Sequence, residues 1–131
     1  VLAAGQEGAY EEALLEPVPV ALRRKWFAPL TDGSGRLRAN DTLRGLISFK
    51  RLNLIGAWPM TGGFQVIFCR NVVIYFENAT QEQIWSRFAP LLEEGGVLYI
   101  GHSERVSGPA EACFANDGIT IYRRRGGGGT K

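Results

Sequence analysis

Two short apolar runs, Gln65-Val66-Ile67-Phe68-Cys69 and Val97-Leu98-Tyr99-Ile100-Gly101, flank one amphipathic segment, and this triplet constrains the fold more than any other feature. Each run is short, continuous and rich in β-branched or aromatic residues, as expected of a strand buried on both faces in a parallel sheet. Between them, Ile84, Trp85, Phe88, Leu91 and Leu92 recur at helical spacing and form one apolar stripe. Thr80, with Gln83 three residues on, has the spacing of a capping box, and Gly95-Gly96 is a stop signal. Strand, helix and strand at this spacing predict a βαβ unit with a right-handed crossover.

The flanks extend this unit to an α/β fold. Gly118 and the run Ile119-Thr120-Ile121-Tyr122 predict a closing strand, paired in a hairpin with residues near Ala112-Cys113-Phe114. Upstream, Val20–Phe27 has short helical character, and Thr31-Asp32-Gly33-Ser34-Gly35 is a dense turn signal. Trp26–Phe49 reads as an antiparallel ribbon around that turn, interrupted near Asp41, with residues 24–49 as an insert. Val1-Leu2-Ala3-Ala4 reads as the end of a helix stopped by Gly5. A mononucleotide-binding half needs a first strand followed by a glycine-rich turn into a helix. No such turn precedes Gln65, so the expectation is a partial doubly wound sheet lacking its first strands, over residues 1–125. Residues 126–131 read as a flexible glycine-rich tail.

Composition removes several function classes. The 131 residues are 45% hydrophobic and 21% charged, with a formal net charge of +2, which suits one soluble domain and demands no nucleic-acid partner. The run Arg123-Arg124-Arg125 is short and reads as a solvated segment. No apolar stretch approaches the ~20 residues of a membrane span. Two cysteines and one histidine, without metal-ligand spacing, argue against a metal centre or a disulfide framework and fit a reducing cytoplasm.

The segment Ile67-Phe68-Cys69-Arg70-Asn71-Val72-Val73-Ile74-Tyr75-Phe76 resembles the signature of the chemotaxis-receptor methyltransferases, the CheR family. A second block, Gly95-Gly96-Val97-Leu98-Tyr99-Ile100-Gly101-His102-Ser103-Glu104, is similar to another segment of that family. Phe49, Asn53-Leu54, Ile121-Tyr122 and the Gly8-x-Tyr10 spacing also fall where the family has matching residues, so the resemblance runs from about Val1 to Tyr122. It implies a Rossmann-like methyltransferase domain with an inserted antiparallel ribbon. It further implies methyl transfer from S-adenosylmethionine to glutamate carboxylates of a receptor's cytoplasmic domain, with S-adenosylhomocysteine as product. In some members the ribbon docks the receptor's C-terminal peptide. Asn53, Leu54, Arg70 and Asn71 match cofactor-contacting positions, and Tyr75 matches a tyrosine near the transferred methyl, which makes Tyr75 and Arg70 the catalytic candidates. Gln65 stands where the family usually carries an aspartate.

Such chemistry needs positioning groups rather than a base. A glutamate carboxylate, with an ordinary pKa of about 4.3, is already ionised at neutral pH. Alignment of oxygen, methyl carbon and sulfur alone supplies roughly 7–11 kcal/mol. Arg70-Asn71 follows a predicted parallel strand, where open α/β sheets bind ligands; the alternative is a surface arginine before a turn asparagine. For Tyr75 the alternative is packing beside Phe76, and for Asn53, placed after a short strand, it is a turn role. His102-Ser103-Glu104 is no catalytic triad, because adjacent residues on an extended segment cannot set base beside nucleophile; it reads as a loop lining the cleft. Besides the methyltransferase reading, with residues 1–131 inactive by themselves, two others stay open. One is a non-catalytic peptide-binding module; the other is a methyltransferase with another acceptor. An exposed edge on the Gln65–Cys69 strand predicts self-association.

Overall fold

The computed structural model describes residues 2–126, and the chain divides into two compact units between Leu52 and Asn53. The expected tail, residues 126–131, lies outside the described residues except for Gly126.

The first unit is built on a three-stranded antiparallel sheet. Helix α1 (Leu2–Glu7) runs through Gly5 and stops at Gly8, whose φ of +67° favours glycine and whose N–H still reaches Ala4 O at 3.2 Å. The helix therefore continues past the expected stop at Gly5. β1 (Ala9–Glu11) follows, then α2 (Val20–Trp26), β2 (Phe27–Pro29) and β3 (Arg36–Ala39), with β3 central. Across the Thr31–Gly35 turn, Phe27 pairs with Ala39 and Pro29 with Leu37. The third strand is β1, with Tyr10 opposite Leu37, and not Leu46–Phe49 as the ribbon expectation had it. Asn40 explains the difference. Its side chain accepts the Leu43 N–H at 2.9 Å and caps α3 (Asp41–Gly45), which takes the chain out of the sheet before Leu46.

The second unit is a mixed four-stranded sheet with one covered face. Its strands are β4 (Phe64–Cys69), β5 (Leu92–Ile100), β6 (Phe114–Asn116) and β7 (Ile121–Arg124), in the order β4-β5-β7-β6. β4 and β5 are parallel, with Val66 opposite Val97 and Cys69 opposite Ile100. β7 runs antiparallel to both neighbours and pairs with β6 in a closing hairpin, as expected, but both strands start two residues later than expected, since Ala112 and Cys113 lie in a 3-10 helix. Between β4 and β5 lies α4 (Asn78–Phe88). Ile84, Trp85, Phe88, Leu91 and Leu92 are all buried, with Leu98, Ile100 and Cys69 in the same core.

Three local expectations are corrected. α4 starts at Asn78, two residues before Thr80, and the side chain of its N-cap residue, Glu77, makes no capping hydrogen bond among the described residues. Instead Gln81 donates its side-chain amide to Phe76 O at 2.9 Å, tying the helix to the segment before it. α4 ends before Pro90, which lies in a 3-10 turn over Ala89–Leu91 and cannot continue an α-helix. Gly95-Gly96 thus falls inside β5, where the pairing with β4 shifts register between Phe64 and Val66. A Cβ on Gly96 would stand 2.8 Å from Glu93 O, so the irregularity needs glycine there. Finally, β4 is not buried on both faces. Cys69 faces the core, while Phe64, Val66 and Phe68 alternate onto the other face and are exposed, Phe68 by 70%. Among the described residues β4 pairs with β5 alone, so it is an edge strand.

Candidate functional site

The chain leaves the carboxyl end of β4 at Arg70 and turns sharply. Asn71 adopts a φ of +60°, the left-handed region that asparagine tolerates better than most residues. Val73–Tyr75 then forms one 3-10 turn. One buried carboxylate holds this bend. Glu104, 2% exposed, follows the end of β5 and accepts five backbone N–H groups. Oε1 accepts Asn71 at 3.0 Å and Gly101 at 2.7 Å; Oε2 accepts Val72 at 3.0 Å, Val73 at 2.7 Å and Ile74 at 3.2 Å. Burial alone raises a carboxyl pKa, but the combined backbone donors outweigh it, so Glu104 titrates below the usual carboxylate range.

Gly101 completes the joint. A Cβ there would meet the Asn71 side chain, Asn71 N at 2.8 Å and Glu104 Oε1 at 2.9 Å. Arg70 adds a second tie between the two strand ends, because its Nε donates to Ile100 O at 3.1 Å. Its terminal nitrogens make no hydrogen bond among the described residues, which leaves a cation at the strand end. Tyr75 is 80% exposed on the 3-10 turn, and its hydroxyl has no partner among the described residues. It is therefore not the packed aromatic that its neighbour Phe76 suggests.

Asn53 and Leu54 occupy a different turn. The expected strand leading into Asn53 is not formed: among the described residues none lies between Ala39 and Asn53. Its Oδ1 accepts the Ile55 N–H at 3.0 Å and its backbone O accepts Gly56 N–H at 3.2 Å, the turn role that asparagine commonly fills. The Leu54 carbonyl accepts Trp58 Nε1 at 3.1 Å and Arg87 Nη1 at 3.1 Å, while its side chain packs on the core. Arg87, on the last turn of α4, also donates to Gly56 O at 2.5 Å and lies 4.1 Å above the Trp58 ring. One guanidinium thus fastens the Asn53 turn to α4. The structure brings Arg70, Asn71 and Tyr75 onto one locked turn; no hydrogen bond joins the Asn53 turn to it among the described residues.

Two residues important to this geometry escape a reading of local pattern. Glu104 stands in a segment read as cleft lining, and Arg87 in a helix read as core. The only local signal for Glu104 is a carboxylate three positions after a strand-ending glycine. His102 and Ser103 are exposed while the Glu104 carboxylate is saturated by amides, so the three form no relay.

Cys69 is held in its thiol form. Burial, and then the Glu104 charge, push its thiol up to about 11. Among the described residues no cluster of histidine, cysteine or carboxylates could hold a metal ion. The arrangement instead offers hydrogen-bond donors, a cation and a phenol at the end of a parallel strand. Those groups suit a ligand with polar and anionic ends, held and aligned rather than chemically activated.

Residues 1–122 match the family described as CheR methyltransferase, SAM binding domain. A probable chemotaxis protein methyltransferase of Rhizobium etli is 53% identical over 124 residues, which cover 94% of this chain and 46% of that protein. The chemotaxis protein methyltransferase of Klebsiella aerogenes is 41% identical, over 93% of this chain and 42% of its own length. That of Escherichia coli is 38% identical, over 93% and 43%. The chain belongs to the CheR methyltransferase family, as the two signature blocks indicated. The matched part belongs to the family's S-adenosylmethionine-binding domain, which makes S-adenosylmethionine the cofactor. The chain spans less than half the length of these curated relatives. Among the described residues no helix is long and apolar enough to cross a membrane.

Proposed function

We propose that the protein carrying these residues transfers a methyl group from S-adenosylmethionine to glutamate side chains on the cytoplasmic domain of a chemotaxis receptor. The observation that carries this reading is the family match over residues 1–122, with Arg70, Asn71 and Tyr75 on one turn at the carboxyl end of β4. S-adenosylmethionine, when bound, supplies a methyl group activated on a sulfonium. Arg70 and Asn71, with Asn53 and Leu54, hold and orient that donor in this reading. The exposed Tyr75 hydroxyl orients the acceptor carboxylate. No residue need act as a base, since the carboxylate is already ionised. We assign the activity to the whole protein rather than to residues 1–131 by themselves, because these residues span less than half the length of the curated relatives. The cytoplasm is the compartment this acceptor implies.

The antiparallel sheet of the first unit supports a second contact with the receptor. Among the described residues β1 and β2 each pair with β3 alone, so an extended receptor C-terminal peptide can add to either edge as a further strand. The open edge of β4 is where self-association would occur.

The test is methyl transfer from labelled donor to a purified receptor cytoplasmic domain. Label released by mild base, as expected of a carboxylic ester, and lost when the receptor glutamates are changed to alanine, supports the reading. Label that resists base, or that appears on another acceptor class, overturns it.

A further inference from the structure

Four consecutive amides, Asn71 to Ile74, converge on the Glu104 carboxylate, and Gly101 adds a fifth from the end of β5. Successive N–H groups curved around a left-handed residue form a concave site for an anion. Here Asn71 has a φ of +60° and Val72 is right-handed, with φ −116° and ψ −48°. With no anion inside, these N–H dipoles would point at one another's positive ends, and the left-handed asparagine would add to the strain. The bend therefore depends on a negative charge supplied from elsewhere in the chain, and Glu104, 2% exposed, supplies it. We propose that Glu104 is a positioning residue: its carboxylate sets the conformation of the turn bearing Arg70, Asn71 and Tyr75, and so sets affinity for the methyl donor.

This rests on the donor-binding reading above, but its geometry is independent of it. Glu104 meets Asn71, one of the proposed donor-binding residues, only at its backbone N–H, and it acts through backbone N–H groups alone. Position and charge both matter. A glutamine fits the same space, yet it carries only one acceptor oxygen and turns an NH2 group toward amides that already donate. An alanine leaves a hole the size of a carboxylate, ringed by five donors, which a small carboxylate from solution can refill.

The experiment compares wild type with Glu104→Gln and Glu104→Ala in the full-length protein. Calorimetry reads S-adenosylhomocysteine affinity, and NMR reads the amides of residues 71–74 and 101. Both variants should weaken affinity roughly tenfold or more, the scale expected when a charged acceptor of buried hydrogen bonds is lost. The five amides should lose exchange protection while those of α4 keep theirs. Formate should restore affinity and amide shifts in Glu104→Ala and not in Glu104→Gln. Glu82→Gln, in the polar groove that Glu104 also lines, should leave the five amides unchanged. Wild-type affinity and amides in Glu104→Gln would overturn the proposal and leave the methyltransferase reading standing. Absence of S-adenosylhomocysteine binding by wild type would overturn the donor-binding reading instead, and the amides would still decide the role of Glu104.

Should both variants fail to fold, acid titration of the wild type decides. The five amides should shift together as pH falls below the ordinary carboxylate range. Around Glu104, Cys69 stays neutral throughout that range because burial raises its pKa, and the groove also holds the side chains of His102, Arg105 and a second carboxylate, Glu82. Amides whose acid shift disappears in Glu82→Gln, or that do not move together, would overturn the proposal.

Discussion

Glu104 Oε2 accepts the Val73 N–H at 2.7 Å, and both residues are buried although 31 positions separate them. The contact joins the turn after β4 to the segment after β5, at the end of the sheet where parallel strands present ligands. It makes the candidate site an electrostatic joint as much as a packed one.

Acid should loosen this joint before it melts the core. The folded pKa of Glu104 lies below its ordinary value, so the unfolded chain takes up the proton first. The stabilisation is complete above that ordinary value, and it is lost as pH falls below it and through the lowered folded pKa. Urea unfolding at neutral pH should show Glu104→Ala less stable by about 2–4 kcal/mol, as buried donors lose their charged acceptor. The deficit should shrink on acidification. A deficit that is constant from neutral to acid pH would mean the loss is one of packing.

Arg87 should matter for stability out of proportion to its surface charge. It donates to Leu54 O and Gly56 O and covers the Trp58 ring, which in turn packs 5.2 Å from Phe88. Arg87→Ala should cost about 1–3 kcal/mol by urea unfolding, summing lost hydrogen bonds and the cation–ring contact. Arg87→Lys should not restore it, because a single ammonium cannot span both carbonyls while lying flat on the ring. Faster hydrogen exchange at Gly56, whose N–H bonds to Asn53 O, would locate the effect.

Cys69 should resist thiol reagents in the native state. With its pKa near 11, almost none is thiolate at neutral pH, and it is buried. Ellman titration should therefore find Cys69 only after denaturation, when both cysteines of the chain react. Rapid native labelling of Cys69, located by peptide mass, would contradict this burial.

Tyr75 and Arg70 should separate kinetically in the whole protein. Tyr75→Phe keeps the exposed ring and removes only the hydroxyl, so turnover should fall roughly 10- to 100-fold with donor affinity retained, as for loss of one positioning hydrogen bond. Arg70→Ala removes the strand-end cation and the bond to Ile100 O, so it should damage both affinity and turnover. Normal turnover in Tyr75→Phe would remove that hydroxyl from the reaction.

Local pattern by itself determined the elements whose cause is local. The runs that became β4 and β5, the buried stripe of Ile84, Trp85 and Phe88, and the closing hairpin are written in hydrophobic period and turn residues. The two signature blocks likewise identified the family. Tertiary structure decided what depends on residues far apart. It chose β1 rather than Leu46–Phe49 as the third antiparallel strand, because Asn40 caps a helix there. It turned Gly95-Gly96 from a helix stop into a strand irregularity, because Pro90 had already ended the helix. It made Glu104, part of an exposed-looking His-Ser-Glu run, the buried anchor of a turn some 30 residues upstream. A hydrogen bond across that separation leaves no periodic trace. Its partners are backbone amides, which every residue except proline carries, so only the folded path of the chain could reveal which of them meet that carboxylate.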